Sequence, residues 1–450
     1  MTCTHTWQIE FLDASTTTDL TSSVLGFSIH QNADIGRMAT FGGYISLDNT
    51  GNLFTPSGGG TYQNFTWFNK IIRVTCDIND GSTTTTADVA YMVVIDMDFK
   101  DDGSNATLML TLADPFTFAG RDAVTAVDET SASYGTLDAI SQNLINGVPS
   151  GVDAVPFPKF GATNATVCAV TKQNNVDPAE TATYPIGYSG IIDTFDDGTA
   201  RDYISNQVLP SGPAVLFPTT ATYDGSAAKW TLNAAYLYRL LTKETVSSTN
   251  YYRLFELTGD KTADKFPVRN VSTQYNTVDT VNQAQIQGNL PASGSAATFV
   301  NDTTSQDTLG IRSVTYSKTI GYIFGGVTDT EKAKIGNFWI KRFADVQFTA
   351  QTATVTLEAV NEQMDSSSRQ NYADFLSVST CLWSVASVTF TPTGASSAST
   401  YQSVITGRQI HVTPTSSTIT LRLATANDNQ SLTLDNANIG VLGTNRVGYY

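Results

Sequence analysis

The most constraining feature of this chain is a strict two-residue alternation between Tyr91 and Leu112. Tyr91, Val93, Ile95, Met97 and Phe99 fall on one face, Lys100 to Asn105 (KDDGSN) supplies turn residues, and Ala106, Leu108, Leu110 and Leu112 return on one face with Thr107 and Thr111 opposite. Period-two alternation on both sides of an Asp-Gly turn specifies an antiparallel hairpin with one buried face. A lone hairpin is not stable in water, so more strands must flank it. Candidates are Trp7–Phe11, Val24–Ile29, Tyr44–Leu47 and Ile71–Ile78. Between Gly36 and Pro56 the strand Tyr44–Leu47 runs into Asp48-Asn49-Thr50-Gly51-Asn52 and leaves through Leu53-Phe54-Thr55-Pro56. Asn and Gly accept positive φ, and Asp and Asn side chains bond nearby backbone, so this is a turn at the rim of the sheet. Residues 1–118 are therefore expected to form a first β-barrel or sandwich.

Residues 119–250 change character and read as an α/β insert. Thr136 suits the cap of a helix from Leu137 to Ile145, ended by Gly147 and Pro149, and a second helix fits Ala200–Leu209 before Pro210. Ala214–Phe217 and Lys229–Leu232 read as strands around an Asp224-Gly225 turn, whereas 150–185 is rich in Pro, Asn and Thr and is expected to be mostly loop.

Residues 251–450 return to β. Strands are expected at Val268–Tyr275, Thr280–Gln287, Ile311–Tyr316, Val346–Thr349, Thr354–Val360, Ser387–Thr391, Gln409–Thr413 and Thr418–Leu423. One helix interrupts them, with Thr328 and Glu331 forming a capping box and the body reaching Phe343. A helix-containing insertion thus occupies about 320–395. Gly288–Asp307 and Gly394–Thr400 have the composition of flexible loops.

Only 15% of the 450 residues are charged, and the formal net charge is −16. Such an acidic chain is poorly suited to gripping nucleic acid, which needs clustered Lys and Arg. Its ordinary meaning is solubility. Cys3, Cys76, Cys168 and Cys381 are dispersed with no CxxC, as expected of free thiols rather than a disulfide framework. No apolar run is long enough for a transmembrane helix, and the N-terminus lacks the layout of a signal peptide, so a soluble product made in the cytoplasm is expected.

Motifs of chemistry are weak. His5, His30 and His411 form no metal-ligand pattern. Gly187-Tyr188-Ser189-Gly190-Ile191 departs from a nucleophile elbow by one position and reads as a loop. Asp77-Ile78-Asn79-Asp80-Gly81 carries two oxygen-bearing side chains at calcium-loop spacing, but its Gly is one residue early and the distal Glu is missing, so an ordinary turn is expected. The same holds for the acidic stretches 98–103 and 193–202. Tyr188, Tyr251, Tyr252, Tyr449 and Tyr450 could stack on a partner or a sugar, though Tyr in a β-rich chain is commonly a half-buried strand residue. No catalytic, cofactor-binding or metal-binding residue is assigned, and no enzymatic activity is expected.

Four segments, in order along the chain, carry a resemblance. LDNTGNLFTP (47–56) after Gly36-Arg37 is similar to a strand running into "LDN..G.FSP". Leu110-Thr111-Leu112-Ala113-Asp114-Pro115 resembles a strand that closes a first barrel at an Asp. Ala200–Leu209 followed by AVLFP (214–218) resembles a helix and then an "LLF" strand. Ile410-His411-Val412-Thr413-Pro414, then Ile439-Gly440-Val441-Leu442-Gly443-Thr444-Asn445-Arg446-Val447-Gly448-Tyr449, resembles an "H.I.P … LGVL…RLGY" ending. Together they resemble the tail-tip (baseplate) hub or minor tail proteins of tailed bacteriophages. The resemblance implies a mainly β fold with a smaller α/β part: two tail-tube-like antiparallel β-barrels, 1–118 and 251–450, with helix-containing insertions. It also implies a structural, non-enzymatic virion protein at the tail tip, made in the host cytoplasm. Its partners would be two further copies of itself in a homotrimer, the tube or distal-tail ring, the tape measure and the tail fibres, with DNA passing through an acidic lumen without specific binding. The alternatives are a receptor- or carbohydrate-binding virion protein, a distal-tail ring protein and a tail-borne cell-wall hydrolase.

Overall fold

The computed structural model of the chain describes residues 2–119, 214–236, 254–275, 280–286, 298–316 and 348–425, with short gaps inside these ranges, and isolated stretches between them. One sheet of thirteen strands dominates it. Its N-terminal members are β1 (Thr4–Asp13), β2 (Thr16–Asp19), β3 (Val24–Asn32), β4 (Thr40–Asp48), β5 (Ile71–Asn79), β6 (Thr84–Asp101) and β7 (Ala106–Ala113). The C-terminal members are β8 (Leu254–Thr258), β9 (Phe266–Tyr275), β10 (Phe348–Thr356), β11 (Val385–Phe390), β12 (Ser399–Thr413) and β13 (Ser416–Thr425). Their order is β2-β1-β5-β6-β7-β4-β3-β12-β11-β8-β9-β10-β13, and β13 comes back to pair with β12. The last six strands therefore close into a barrel through their own ladder. The N-terminal set runs from β2 at its edge to β3, and β1, next to that edge, meets β3 through side chains, with the Trp7 ring edge-on to Phe27 at 5.2 Å.

The 91–112 hairpin forms, with a change of face inside it. The β6–β7 register slips between Val94 and Asp96, so Ile95 is an extra residue without a partner on β7. A bulge reverses the alternation beyond it. Before it, Val94 pairs with Leu112; after it, Met97 and Phe99 pair with Leu110 and Leu108. The expected single face Tyr91-Val93-Ile95-Met97-Phe99 is therefore split, with Ile95 37% exposed while Val94 is fully buried. A second slip, opposite Val74 and Thr75, makes Val89 an extra residue on the same strand. Tyr91 and Val93 are buried as well, on a strand against which the 214–224 strand packs. The rim turn behaves as expected. Tyr44 pairs with both Ser28 and Thr111, Gly51 and Asn52 take positive φ, the Asp48 carboxylate accepts the Thr50 N–H at 2.9 Å, and Asn49 accepts from Phe54 N at 2.8 Å. Beyond this turn Phe54, Tyr62, Phe65 and Trp67 stack on one another and on Phe11.

Several expectations are corrected in the C-terminal part. β8, within the segment assigned to the second barrel, carries no sequence expectation of its own, and it pairs parallel with both β9 and β11, so this barrel is not wholly antiparallel. Expected strands 346–349 and 354–360 are one strand, β10, ending at Thr356. Leu357 and Val360, buried three residues apart, belong instead to a helix. The loop expected at Gly288–Asp307 contains the strand Thr298–Asn301 and the helix α1 (Thr303–Leu309), capped by Asp302 accepting from Ser305 N at 3.0 Å. Three further helices, α2 (Leu357–Asn361), α3 (Arg369–Leu376) and α4 (Val378–Cys381), carry no sequence expectation of their own. In the insert, Ala214–Asp224 and Ala227–Tyr236 form the expected hairpin. Cys168–Lys172, in a stretch expected to be loop, is a strand parallel to 230–234. The second expected helix begins at Ala200–Tyr203. The 137–145 helix, Gly187–Ile191, the Thr328–Glu331 cap, Tyr449, Tyr450 and the 439–449 ending lie outside the described residues.

Candidate functional site: the seam between the two strand sets

The two strand sets are joined by backbone pairing. Residues 27–32 of β3 run antiparallel to residues 407–412 of β12. Close approach here requires Gly407, since a Cβ would stand 2.7 Å from the Gln31 carbonyl. The pairing is extended by Ala33 N donating to Thr406 O at 2.8 Å and by Trp383 Nε1 donating to Ala33 O at 3.0 Å.

Arg408 lies at the centre of the seam, 2% exposed. Among the described residues its guanidinium meets no carboxylate. Nε donates to Gln31 Oε1 (2.6 Å), Nη1 to the Phe375 and Leu376 carbonyls (3.1 and 2.8 Å), and Nη2 to Val89 O (3.1 Å). Gln31 Nε2 also donates to Val89 O at 3.0 Å. One side chain thus serves the C-terminal carbonyls of α3, which lack helical partners, and the carbonyl at the β6 bulge. Burial lowers the Arg408 pKa from its ordinary 12.5. Burial raises the adjacent Cys381 thiol, and the guanidinium opposes that shift.

Helix α3 fills the space between the sets. Tyr372, Ala373, Phe375 and Leu376 are buried. Phe375 stacks on Phe266 at 4.2 Å and meets Phe255 edge-on at 5.4 Å, while the helix packs against β5 and β6. At its first residue Arg369 pairs with Asp80 and donates to Thr85 Oγ1 at 2.9 Å. Asp80 belongs to the Asp77–Gly81 turn. Its Oδ1 accepts from Ser82 N, Ser82 Oγ and Thr83 N, each at 2.8 Å, and these bonds, ahead of Arg369, hold its carboxyl well below the usual range. Asp77 instead accepts from Gln8 and Thr86, and Asn79 accepts from Gly81 N. The oxygens of this turn are thus spent on separate partners rather than converging on one point.

A third group crosses the seam at His5. Its Nε2 lies 3.3 Å from Ser417 Oγ, and its Nδ1 lies 3.2 Å from Asn361 Oδ1, to which Tyr372 OH donates at 3.0 Å. This is the order of a nucleophile, a base and an orienting group. The surroundings disable it. Ser417 is 4% exposed, its Oγ already accepts from Trp7 Nε1 at 3.0 Å, and its N–H donates to Glu358 Oε1 at 2.8 Å. A carboxylate stands where an oxyanion would need a donor. The group is a strut linking β1, β13, α2 and α3. His30 and His411 lie exposed on the neighbouring strands β3 and β12. Cys3, Cys76 and Cys381 are free and buried, as expected. The residues that organise the seam, Arg408, Gln31 and Trp383, have one sequence signal: polar side chains placed among Ile29, Ile405, Ile410 and Val412.

No protein-family model and no curated protein sequence matches the chain. Among solved structures it is similar to phage tail proteins. The tail protein from Neisseria meningitidis MC58 shares 11% identity at a TM-score of 0.46, over 93% of this chain and 96% of its own. The 43 kDa tail protein of prophage MuSo2 from Shewanella oneidensis shares 12% at 0.46, over 94% and 99%. Prophage tail protein gp18 from Listeria monocytogenes EGD-e shares 9% at 0.42, over 92% and 94%.

Proposed function

We propose that this chain is a structural hub of a bacteriophage tail tip. It would join the tail tube or distal-tail ring to fibres or a spike, and line part of the DNA channel. The observation that carries the reading is the seam: a seven-stranded set and a six-stranded set in one chain, joined by a shared ladder, a buried arginine and a wedged helix. A protein that must present two repeating units to a ring needs such a rigid joint, because a flexible linker would let the units turn independently. Three chains would then offer six units to a six-fold partner. On this reading residues 1–118 and 251–450 are the two ring units and 119–250 the insert between them. The His5–Ser417 strut, closed to substrate, favours a mechanical role over a hydrolytic one.

The negative charge fits passage of DNA. A lumen lined by carboxylates and amides releases no counterions on contact and so does not hold the duplex. Counting copies in isolated tails by mass measurement and electron microscopy tests the assignment. Three copies at the tip are expected, and six would make the chain a ring protein instead.

A further inference from the structure

The segment 283–316 builds a small sheet of its own. Gln283–Ile286 is its central strand, antiparallel to Thr298–Asn301 and parallel to Ser313–Tyr316. Ala284 and Ile286 face inward, fully buried. On that side the Val300 side chain meets the backbone at Gly336, Val281 N donates to Phe343 O, and α1 is tied by Ser305 to the Ala344 carbonyl. The other face carries two rows: Asn301, Gln283, Ser313, and Phe299, Gln285, Thr315. Asn301, Ser313, Thr315 and Phe299 are exposed, Phe299 by 52%.

None of these six residues is charged, in a chain of net charge −16. Asn301 Oδ1 accepts from Gln283 Nε2 at 3.1 Å and Gln306 Nε2 at 3.2 Å, which fixes its amide and leaves its NH2 group to donate. The Gln285 amide and the two hydroxyls take no partner among the described residues. An exposed aromatic side chain therefore stands among uncharged donors and acceptors. The area decides what such a face can hold. Three strands about 4.8 Å apart and two rows about 7 Å apart give roughly 200 Å². A stable protein interface needs about 800 Å² per partner. One or two sugar rings match the smaller figure. Their C–H faces pack on a ring, and their hydroxyls pair with amides without the desolvation cost of a charge.

We infer that the Phe299 face binds a neutral saccharide, with Phe299 as the stacking platform and Gln285, Asn301, Ser313 and Thr315 as the hydrogen-bonding frame. This site is independent of the hub assignment and stands or falls separately. The test is a glycan array of neutral glucose, galactose and N-acetylhexosamine oligomers probed with the full chain, followed by titration calorimetry of the best binder. Phe299→Ala and Gln285→Ala should each weaken binding at least tenfold with an unchanged far-UV circular dichroism spectrum. Ile311→Ala, at an apolar residue 67% exposed and outside the six-residue face, should leave binding intact. Binding to no neutral glycan, binding only to charged glycans, or binding that Phe299→Ala does not change would overturn the inference.

Discussion

Replacing Arg408 tests whether the seam is held as described. Arg408→Met keeps the length of the side chain and removes its donors. Val89 O retains Gln31 Nε2 as a partner, so three buried acceptors lose theirs: Gln31 Oε1, Phe375 O and Leu376 O. At about 1–3 kcal/mol per orphaned acceptor the gross loss is about 3–9 kcal/mol. Removing a desolvated guanidinium that meets no carboxylate among the described residues returns several kcal/mol, which leaves a net loss of about 2–4 kcal/mol. Arg408→Lys should be worse than Met. It keeps a buried positive charge while losing the planar fork that reaches four acceptors on three elements. Urea unfolding followed by tryptophan fluorescence is the assay, because Trp383 bonds across the seam to Ala33. The expected order of stability is wild type, then Met, then Lys, with the Trp383 signal lost first. A methionine variant as stable as wild type, or a lysine variant more stable than the methionine one, would refute this account of the seam.

Two further outcomes are expected. Asp114 is buried, its carboxylate accepting from Phe41 N at 2.9 Å and Thr117 N at 3.1 Å, and burial raises its pKa above the ordinary 3.8. A raised carboxyl stabilises the fold below its unfolded value, and that contribution is lost as pH rises through the folded one. Asp114→Asn should therefore flatten the fall in melting temperature above about pH 4. A fluorophosphonate probe should leave Ser417 unlabelled, and Ser417→Ala should cost about 1 kcal/mol by removing the acceptor of Trp7 and the hydrogen-bond partner of His5; labelling at Ser417, seen by peptide mass spectrometry, would show that the strut opens.

Much of the sheet was legible because alternation is local. Tyr44–Leu47, Ile71–Ile78 and Thr418–Leu423 each declare a buried face within a few residues. The bulges at Val89 and Ile95 were not, since they depend on partners in other strands. Both occur in runs such as Val89-Ala90-Tyr91-Met92-Val93-Val94, where every residue is apolar and parity leaves no mark. β8 was missed because Tyr251-Tyr252-Arg253 gives no turn signal to mark where this five-residue strand begins, although Gly259-Asp260 marks its end. The helices between 357 and 381 are short and gain their stability from burial of Phe375 and Tyr372 against distant strands. Arg408 carries no sequence expectation, because an isolated charge in a strand does not announce the carbonyls that meet it 33 and 377 residues away.

The ladder between β3 and β12 has a consequence for how the chain is made. β3 emerges early from the ribosome, and its partner strand follows only after some 380 further residues, at roughly 5–20 residues per second. Between the end of β7 at Ala113 and Gly407, roughly 15–60 s of synthesis, β3 offers unpaired backbone to any strand that arrives first. Arg408 and Gly407 reach that edge together, so the group that neutralises the Val89 carbonyl and the residue that permits close approach are delivered in the same step. The pairing that joins the two strand sets is thus made late in the synthesis of each chain.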